Sequence, residues 1–473
     1  MAGSESKRLL YRGLYRGISV AIGPLLALPA VVYAPAYGVV AAVLLVGLLW
    51  RNPAAGLVLF PLSTLLVPEI PTPVEFQMSA NVGLIAAFVS VILAKYHRFV
   101  LPRRYVLAIT AVFAFSLVAT VRSLYIPVDT EPFQFLYLLQ WIGYLAFPLF
   151  VVVLVQHLSE REWERYYRGT LLAAAFASVV IVVHLVAVYF GVLPAVAGGE
   201  EIERAVGQER LRTIWTQGPN TTGMFLTIQA LFGYTFLLSL RGRWRRVAAG
   251  AYALLTTVLM FYTYSRSALV ALLVGVLVIT AVWKVQYLVG IAVAFLVALP
   301  VLPAAIRERF APSDLFASRH IETLGYSLPV GPLANRVTLW AGYLDDFLQY
   351  PLLGKGFFWV AFDNTYLNIA VGTGIFGLAA YLGLFVVLLW LCYGSYRSFE
   401  GANRLNASVG LATLGSLAAF FAWGLFSEVF ARWRVLGLLS TLLALTIGSE
   451  YRGYLIGNET ADDPKAEIEE TTQ

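Results

Sequence analysis

The chain has 473 residues, of which 59 % are hydrophobic and only 13 % are charged, and its formal net charge is +6. A soluble globular chain has about 45–50 % apolar and about 25 % charged residues, so soluble cores could not bury this much apolar surface. The composition therefore excludes a soluble enzyme, a nucleic-acid-binding protein and a disordered scaffold. The lipid bilayer must be the solvent for most of the chain.

Cysteine and histidine residues are few and show no metal-ligand spacing. Cys392 is the single cysteine, which excludes an intrachain disulfide framework and a cysteine-based metal site. The four histidines are scattered along the chain: His97, His157, His184 and His320. We therefore expect no metal and no other cofactor. The first apolar stretch is long and lacks a convincing cleavage site, which favours a first membrane span over a signal peptide.

Apolar stretches that approach the length needed to cross a bilayer, about 20 residues, recur along the whole chain. They predict an all-α, polytopic integral membrane helix bundle with about 12–14 transmembrane helices. The candidate spans lie at 17–34, 37–50, 53–68, 79–95, 104–122, 134–156, 169–193, 220–240, 246–264, 266–283, 285–303, 363–392, 405–426 and 433–449.

Lysine and arginine collect on one side of these spans, and this asymmetry predicts the orientation. Twenty-one of the 33 basic residues fall in one alternate set of loops, which we place in the cytoplasm together with both termini. Most of the others lie in two long loops on the extracytoplasmic face. Localisation in a cytoplasmic (inner) membrane, with the functional site on the extracytoplasmic face, is the resulting prediction.

The spans and loops group into five regions. In chain order these are N-terminal transmembrane helices (1–193), a central transmembrane region with arginine motifs (194–303), an extracytoplasmic loop domain (304–362), C-terminal transmembrane helices (363–449) and an acidic cytoplasmic tail (450–473).

The long loop contains a segment with helical periodicity that begins at Asn335. Its apolar residues fall on one face: Val337, Trp340, Leu344, Phe347 and Leu348. Pro351 and Gly354 end the segment. An amphipathic helix lying at the membrane interface is the simplest interpretation.

Several arginines lie at the extracytoplasmic ends of separate segments. A charge in a membrane segment is costly and marks a functional site by default, which makes Arg266 a candidate, although it could instead extend to the headgroups. Arg336 begins the interfacial helix, and Arg210 and Arg212 precede a Gly-Pro-Asn turn. Glu428, between the last two spans, is a candidate partner for an arginine or an ordinary loop residue.

Arginine binds phosphate oxygens in a bidentate manner and keeps its charge. A ring of arginines at the lipid boundary would suit a lipid-linked pyrophosphate, the leaving group of a glycosyl transfer. Such a reaction also needs a base for an acceptor hydroxyl.

At these residues the sequence resembles the O-antigen ligase and O-antigen polymerase superfamily. Three motifs carry the resemblance: Arg-Leu-Arg-Thr-Ile-Trp-Thr-Gln-Gly-Pro-Asn-Thr-Thr-Gly (210–223); Ser-Arg-Ser-Ala-Leu (265–269); and a third made of Arg336 with Trp340, Pro-Leu-Leu-Gly-Lys-Gly (351–356), Asp-Asn-Thr-Tyr-Leu (363–367) and Gly-Thr-Gly-Ile-Phe-Gly-Leu (372–378).

The resemblance implies an inverting, metal-independent glycosyltransferase. Its donor would be a polyprenyl-pyrophosphate-linked oligosaccharide on the outer face, its acceptor a glycan or glycolipid, and its surroundings membrane lipids, with no nucleic acid. Catalytic roles carry over to Arg266, Arg336 and Asp363, the last at a position where many members have a histidine base. Residues in substrate-binding positions are Arg210, Arg212, Asn220, Trp340, Asn364, Tyr366 and Glu428.

Two alternatives remain open at this stage. The aspartate at position 363 puts lipopolysaccharide ligation in doubt, so polymerisation of a surface polysaccharide is at least as well supported as ligation. A secondary transporter or flippase of a lipid-linked or anionic substrate is the alternative from another class. Transporters place charges or broken helices near the midplane, whereas the polar groups here cluster at one face.

Overall fold

A computed structural model describes most of the chain. The described residues are 35–66, 76–96, 101–123, 134–190, 192, 218–290, 293, 297, 320–323, 326–329, 332–356, 364–427 and 433–461. The predicted span at 17–34, most of the span at 285–303 and the tail beyond 461 lie outside them.

Helices account for nearly all of the described elements. They are α1 (Pro35–Arg51), α2 (Ala55–Leu66), α3 (Phe76–Lys95), α4 (Arg103–Ser123), α5 (Gln134–Val155), α6 (Glu160–Tyr189), α7 (Pro219–Ser239), α8 (Arg243–Tyr262), α9 (Arg266–Lys284), α10 (Pro332–Gln349), α11 (Thr365–Phe399), α12 (Arg404–Gly424) and α13 (Trp433–Ala461). A short 3-10 turn follows α9 at Val285–Tyr287.

Six of the described helices are long and apolar enough to cross a membrane: Arg103–Arg122, Glu160–Tyr189, Pro219–Ser239, Arg266–Gly290, Thr365–Phe399 and Arg404–Gly424. Shorter apolar helices lie between them. The prediction of a polytopic, all-α membrane protein is therefore confirmed. The segment predicted to lie at the membrane interface is also a helix, α10.

Two features differ from the sequence-based expectation. A small antiparallel hairpin pairs β1 (His320–Thr323) with β2 (Tyr326–Pro329), with His320 opposite Pro329. Helix α6 begins at Glu160, nine residues before the predicted span, because Ser159 and Glu162 form a capping box. The basic residues of that region lie on the first turns of the helix, where a loop was expected.

The helices pack as two groups that share α13. In one group α7, α9 and α12 contact one another, and α11 contacts α12. In the other group α2 contacts α6, α3 contacts α5, and α13 contacts α2 and α5. Helix α13 also contacts α11 and α12. Hydroxyl groups join helices within this core, as between Thr446 and Thr413, whose Oγ1 atoms are 3.0 Å apart.

Glycines allow the central helices to approach at backbone contact. A Cβ on Gly275 of α9 would lie 3.0 Å from the carbonyl oxygen of Gly415 on α12. A Cβ on Gly415 would lie 2.5 Å from the side chain of Ile279. Small residues of this kind replace the hydrophobic driving force that helix association lacks in lipid. The crossing fixes the depth of α9 relative to α12.

Candidate functional site

The beginning of α7 packs against the turn that leads into α9. A Cβ on Gly223 would lie 2.8 Å from Cβ of Ala268 and 2.9 Å from Oγ1 of Thr263. The Thr227 hydroxyl donates a hydrogen bond to the Ala268 carbonyl at 3.2 Å. Asn220, one helical turn before Gly223, therefore lies at the end of the bundle where α9 begins. The first and second sequence motifs meet here.

Arg266 is the first residue of α9 and is half-buried. The Ser265 side chain caps this helix by accepting a hydrogen bond from the backbone N–H of Ala268 at 3.3 Å. Tyr264, just before the cap, has a φ of 51°. The tight turn and the cap together place Arg266 at the very start of the span.

The same end of the bundle contains the end of α12. Gly275 lies nine positions after Arg266, and Gly415, its partner at the crossing, lies nine positions before Gly424. The start of α7 meets the start of α9 at Thr227 and Ala268, whereas the end of α7 meets the start of α12 at Ser239 and Ser408. Helix α12 therefore runs antiparallel to α9 and, at a rise of about 1.5 Å per residue, Arg266 and Gly424 lie at similar depth. We call this the Arg266 end of the bundle.

The beginning of α11 joins this end through two side chains. The Thr365 hydroxyl donates a hydrogen bond to the Ser427 carbonyl at 2.7 Å. The Tyr366 hydroxyl donates to the Phe421 carbonyl at 2.5 Å. Two residues of the third motif are thereby held against the end of α12.

Asn364 caps α11. Its Oδ1 accepts hydrogen bonds from the backbone N–H groups of Tyr366, at 3.0 Å, and Leu367, at 3.1 Å. Asp363 itself lies outside the described residues.

Arg434, which sequence reasoning overlooked, is the second residue of α13 and only 2 % exposed. Only eight residues separate the end of α12 from the start of α13, and Thr446 meets Thr413 near the middle of both helices. Helix α13 therefore runs antiparallel to α12, and its start lies near the end of α12. The signal was available, since Arg434 is a charge at the edge of an apolar span, the same criterion that identified Arg266.

The loop after α10 pairs with a break in α11 through backbone groups. Helix α11 is kinked at Gly374, whose φ is 71°. The N–H groups of Lys355 and Gly356 donate to the carbonyls of Val371, at 2.8 Å, and Gly372, at 3.1 Å. The N–H of Ile375 donates to the Pro351 carbonyl at 2.8 Å. We call residues 351–356 the docking loop.

Two glycines make this pairing sterically possible. Gly354 has a φ of 70°, and a Cβ there would meet the carbonyl group of Gly372 at 2.3 Å. A Cβ on Gly374 would meet the Leu352 carbonyl oxygen at 2.2 Å. The glycines of the third motif therefore have a structural role: they allow the docking loop to satisfy backbone groups that a broken helix leaves unpaired.

An ion pair connects the docking loop to α10. Lys355 Nζ lies 2.9 Å from Asp346 Oδ1, and both side chains are about one-third exposed. Partial burial, with Asp346 nearby, raises the pKa of the Tyr343 hydroxyl above its usual value.

Arg336 and Trp340 are half-buried residues of α10. Helix α10 contacts α11, and the docking loop continues that contact. The structure therefore gathers Asn220, Arg266, Asn364 and Tyr366 at one end of the bundle. Arg336 and Trp340 lie on the helix fastened to α11.

Four of the candidate residues lie outside the described residues: Arg210, Arg212, Asp363 and Glu428. Within the described part of the chain, no group of three or more His, Cys, Asp or Glu side chains is placed to hold a metal ion.

Replacing Gly374 with alanine is expected to displace the docking loop. A φ of 71° with a ψ of −171° lies in a region that only glycine commonly occupies and costs a residue with a Cβ about 1–3 kcal/mol, and contact with the Leu352 carbonyl adds to this. Gly401→Ala is the matched control, since Gly401 has a φ of 94° but open space around its Cβ position. The midpoint temperature of thermal unfolding in detergent should fall further for Gly374→Ala than for Gly401→Ala. Equal decreases in the two variants would contradict the docking arrangement.

Comparison with known families supports the resemblance over the central part of the chain. Residues 251–382 match the family model described as O-antigen ligase. This segment contains Arg266, Arg336, the docking loop and the break in α11, and it leaves Asn220 and Arg434 outside. No curated protein matches the chain significantly.

Proposed function

We propose that this chain, a multi-pass membrane protein whose residues 251–382 match the O-antigen ligase family, is a glycosyltransferase acting on a polyprenyl-pyrophosphate-linked glycan. The observation that carries the proposal is the gathering of Arg266, Asn220 and Tyr366 at one end of the helix bundle. A ligase or polymerase of a surface polysaccharide fits this arrangement, with the site on the extracytoplasmic face of the cytoplasmic membrane.

The arginines would bind the pyrophosphate. The guanidinium groups of Arg266 and Arg336 match phosphate oxygens in a bidentate manner. A partly buried site strengthens that interaction, because less water screens it. Arg434, buried near the same end, would add to the positive potential. Arg210 and Arg212 would do so from the preceding loop.

The proposed reaction is a direct displacement. The acceptor hydroxyl oxygen forms a bond to the anomeric carbon, and the bond from that carbon to the pyrophosphate oxygen breaks. The hydroxyl proton passes to Asp363, and the lipid pyrophosphate leaves with the electron pair. A single displacement of this kind inverts the anomeric configuration. Guanidinium groups would neutralise the departing charge without a metal ion.

Binding of the glycan would fall to side chains around the arginines. Trp340 on α10 offers an aromatic surface, and Asn220 and Tyr366 offer polar groups at the ends of α7 and α11. Glu428, in the segment after α12, would orient an arginine or bind a sugar hydroxyl. Asn364 would act mainly by holding the start of α11 beside the proposed base.

Arg266→Ala and Arg336→Ala are each expected to lower transfer by about a hundredfold or more, the usual effect of removing one preorganised charge-stabilising group. Transfer is measured in vesicles that contain the purified protein and a lipid-linked oligosaccharide. Arg434→Lys keeps the charge but loses the planar fork, so an intermediate rate is expected.

Arg243→Ala, at the opposite end of the bundle, is the control for these arginine variants. Near-normal transfer by Arg266→Ala or Arg336→Ala would contradict the proposed binding of the pyrophosphate.

Asp363→Asn is expected to lower transfer by about 10²–10⁴-fold, since it removes a general base. Asn364→Ala separates this role from helix capping, because it should cost about 1 kcal/mol of stability with a smaller effect on rate. The pH–rate profile of each variant is the measurement. Full activity of Asp363→Asn would show that another group accepts the proton.

The lipid-linked glycans of a deletion strain distinguish polymerase from ligase. A polymerase leaves single lipid-linked repeats when it is lost, whereas a ligase leaves full-length lipid-linked polymer. Mass analysis of extracted lipids reads the chain length directly. Unchanged glycans together with lost uptake of a solute would contradict both and support a transporter.

A further inference from the structure

A large apolar groove lies at the end of the bundle opposite Arg266. Its volume is about 710 Å³, within the range of small-molecule and cofactor sites, about 300–1,000 Å³. Helices α6, α7 and α8 form its walls, and Leu438 and Leu442 of α13 lie behind it. The groove opens to the surroundings of the bundle, since its lining residues Leu172 and Val179 are 70 % and 47 % exposed.

Small residues create this concavity. Ala174 and Ala175 of α6, and Ala248 and Ala249 of α8, line it where larger side chains would fill it. Gly233 of α7 allows α8 to approach, because a Cβ there would lie 2.9 Å from the backbone nitrogen of Ala253. The groove is thus built by the packing of the helices.

A hydrogen-bonded trio holds the three walls together at the inner end of the groove. The Gln229 side chain of α7 donates to Ser178 Oγ of α6 at 3.0 Å. The Tyr252 hydroxyl of α8 donates to Gln229 Oε1 at 2.9 Å. All three residues line the groove. Their hydrogen bonds hold the three helices in place and form the closed inner end of the groove.

Arginines lie at the other end of the groove. Arg168 of α6 and Arg245 of α8 are among its lining residues and are exposed. Arg168 also pairs with Glu164 at 2.5 Å, but a guanidinium has five N–H donors and can contact a second anion. The neighbouring arginines at the start of α8 are not among the lining residues: Arg241, Arg243 and Arg246.

The depth of the groove matches one leaflet of a membrane. Arg168 and Val179 are eleven residues apart on α6, a rise of about 16 Å. Half of a hydrocarbon core of about 30 Å is about 15 Å. The groove has charged residues at its outer end, apolar residues along its length and polar residues near mid-depth. This order of polarity matches that of a phospholipid molecule in one leaflet.

We propose that this groove binds an anionic phospholipid from the leaflet opposite the candidate active site, with its phosphate between Arg168 and Arg245 and an acyl chain along α6 and α8. The site is separate from the proposed glycosyl transfer and does not depend on it. The positive charges of Arg168 and Arg245 favour an anionic headgroup. The depth of the groove, about one leaflet, fits an acyl chain.

Photocrosslinking of the full-length protein tests the proposal. The protein is reconstituted in phosphatidylethanolamine vesicles that contain a trace of phosphatidylglycerol with a diazirine on its acyl chain. Labelled peptides from α6, α7 and α8 are expected after irradiation. A phosphatidylcholine probe with the same acyl chain should label these peptides several-fold less, given the attraction of basic side chains for anionic headgroups.

Two variants with matched controls make the test specific. Ala249→Phe fills the groove, whereas Ala251→Phe adds the same ring to an exposed position outside its lining. The double variant Arg168→Gln/Arg245→Gln removes the lining charges, whereas Arg165→Gln/Arg243→Gln removes neighbouring charges that do not line it. We expect the groove variants to lose about tenfold in labelling and the controls to stay within about twofold.

Three results would overturn the proposal. Unchanged labelling in Ala249→Phe would show that lipid does not enter the groove. Equal labelling by the phosphatidylglycerol and phosphatidylcholine probes would show that the groove does not select the headgroup. An equal loss of labelling in the two double arginine variants would show the same, and would mean that the labelled lipid is ordinary boundary lipid. The arginine variants keep the test decisive if Ala249→Phe fails to fold, because their side chains are exposed.

Discussion

The crossing of α9 and α12 at Gly275 and Gly415 determines where the candidate site residues of this protein lie. Because neither residue has a Cβ, the two backbones approach to contact distance, and the depth of one helix is fixed against the other. Arg266 and the end of α12 therefore lie at similar depth in the helix bundle. Helix α11 joins them through Tyr366, whose hydroxyl reaches the Phe421 carbonyl. In lipid, where helices gain nothing by hiding apolar surface from each other, such close packing is a main source of association.

The docking loop is the second constraint, and it bears on the choice between transport and transfer. A helix broken inside a membrane protein commonly frees backbone groups that bind a substrate or an ion. Here the carbonyls of Val371 and Gly372 at the break accept hydrogen bonds from the docking loop. The break thus attaches α10, with Arg336 and Trp340, to the bundle. This use of a broken helix favours the proposed surface chemistry over translocation.

Charge is scarce in the chain, and its placement gives the two ends of the bundle different chemistry. At one end, Arg266 and Arg434 are half-buried or buried beside helix ends. At the other, Arg168 and Arg245 are exposed at the mouth of an apolar groove. The first arrangement suits a bound pyrophosphate that must be stabilised during reaction, and the second suits a headgroup that stays in contact with water. Burial is the physical difference, because it determines how strongly a charge acts.

The sequence by itself determined the membrane class, the helical architecture and the six long apolar spans found among the described helices, because apolar runs of bilayer length permit few other structures. It also identified Arg266 and the three motifs, since a charge at the edge of an apolar span is conspicuous. It did not reveal that Arg434 is buried at the start of α13 or that the motif glycines dock a loop against a broken helix. Those facts depend on which helices touch and at what height. Only the tertiary structure decided them, because contacts between distant segments follow from packing that no local pattern encodes.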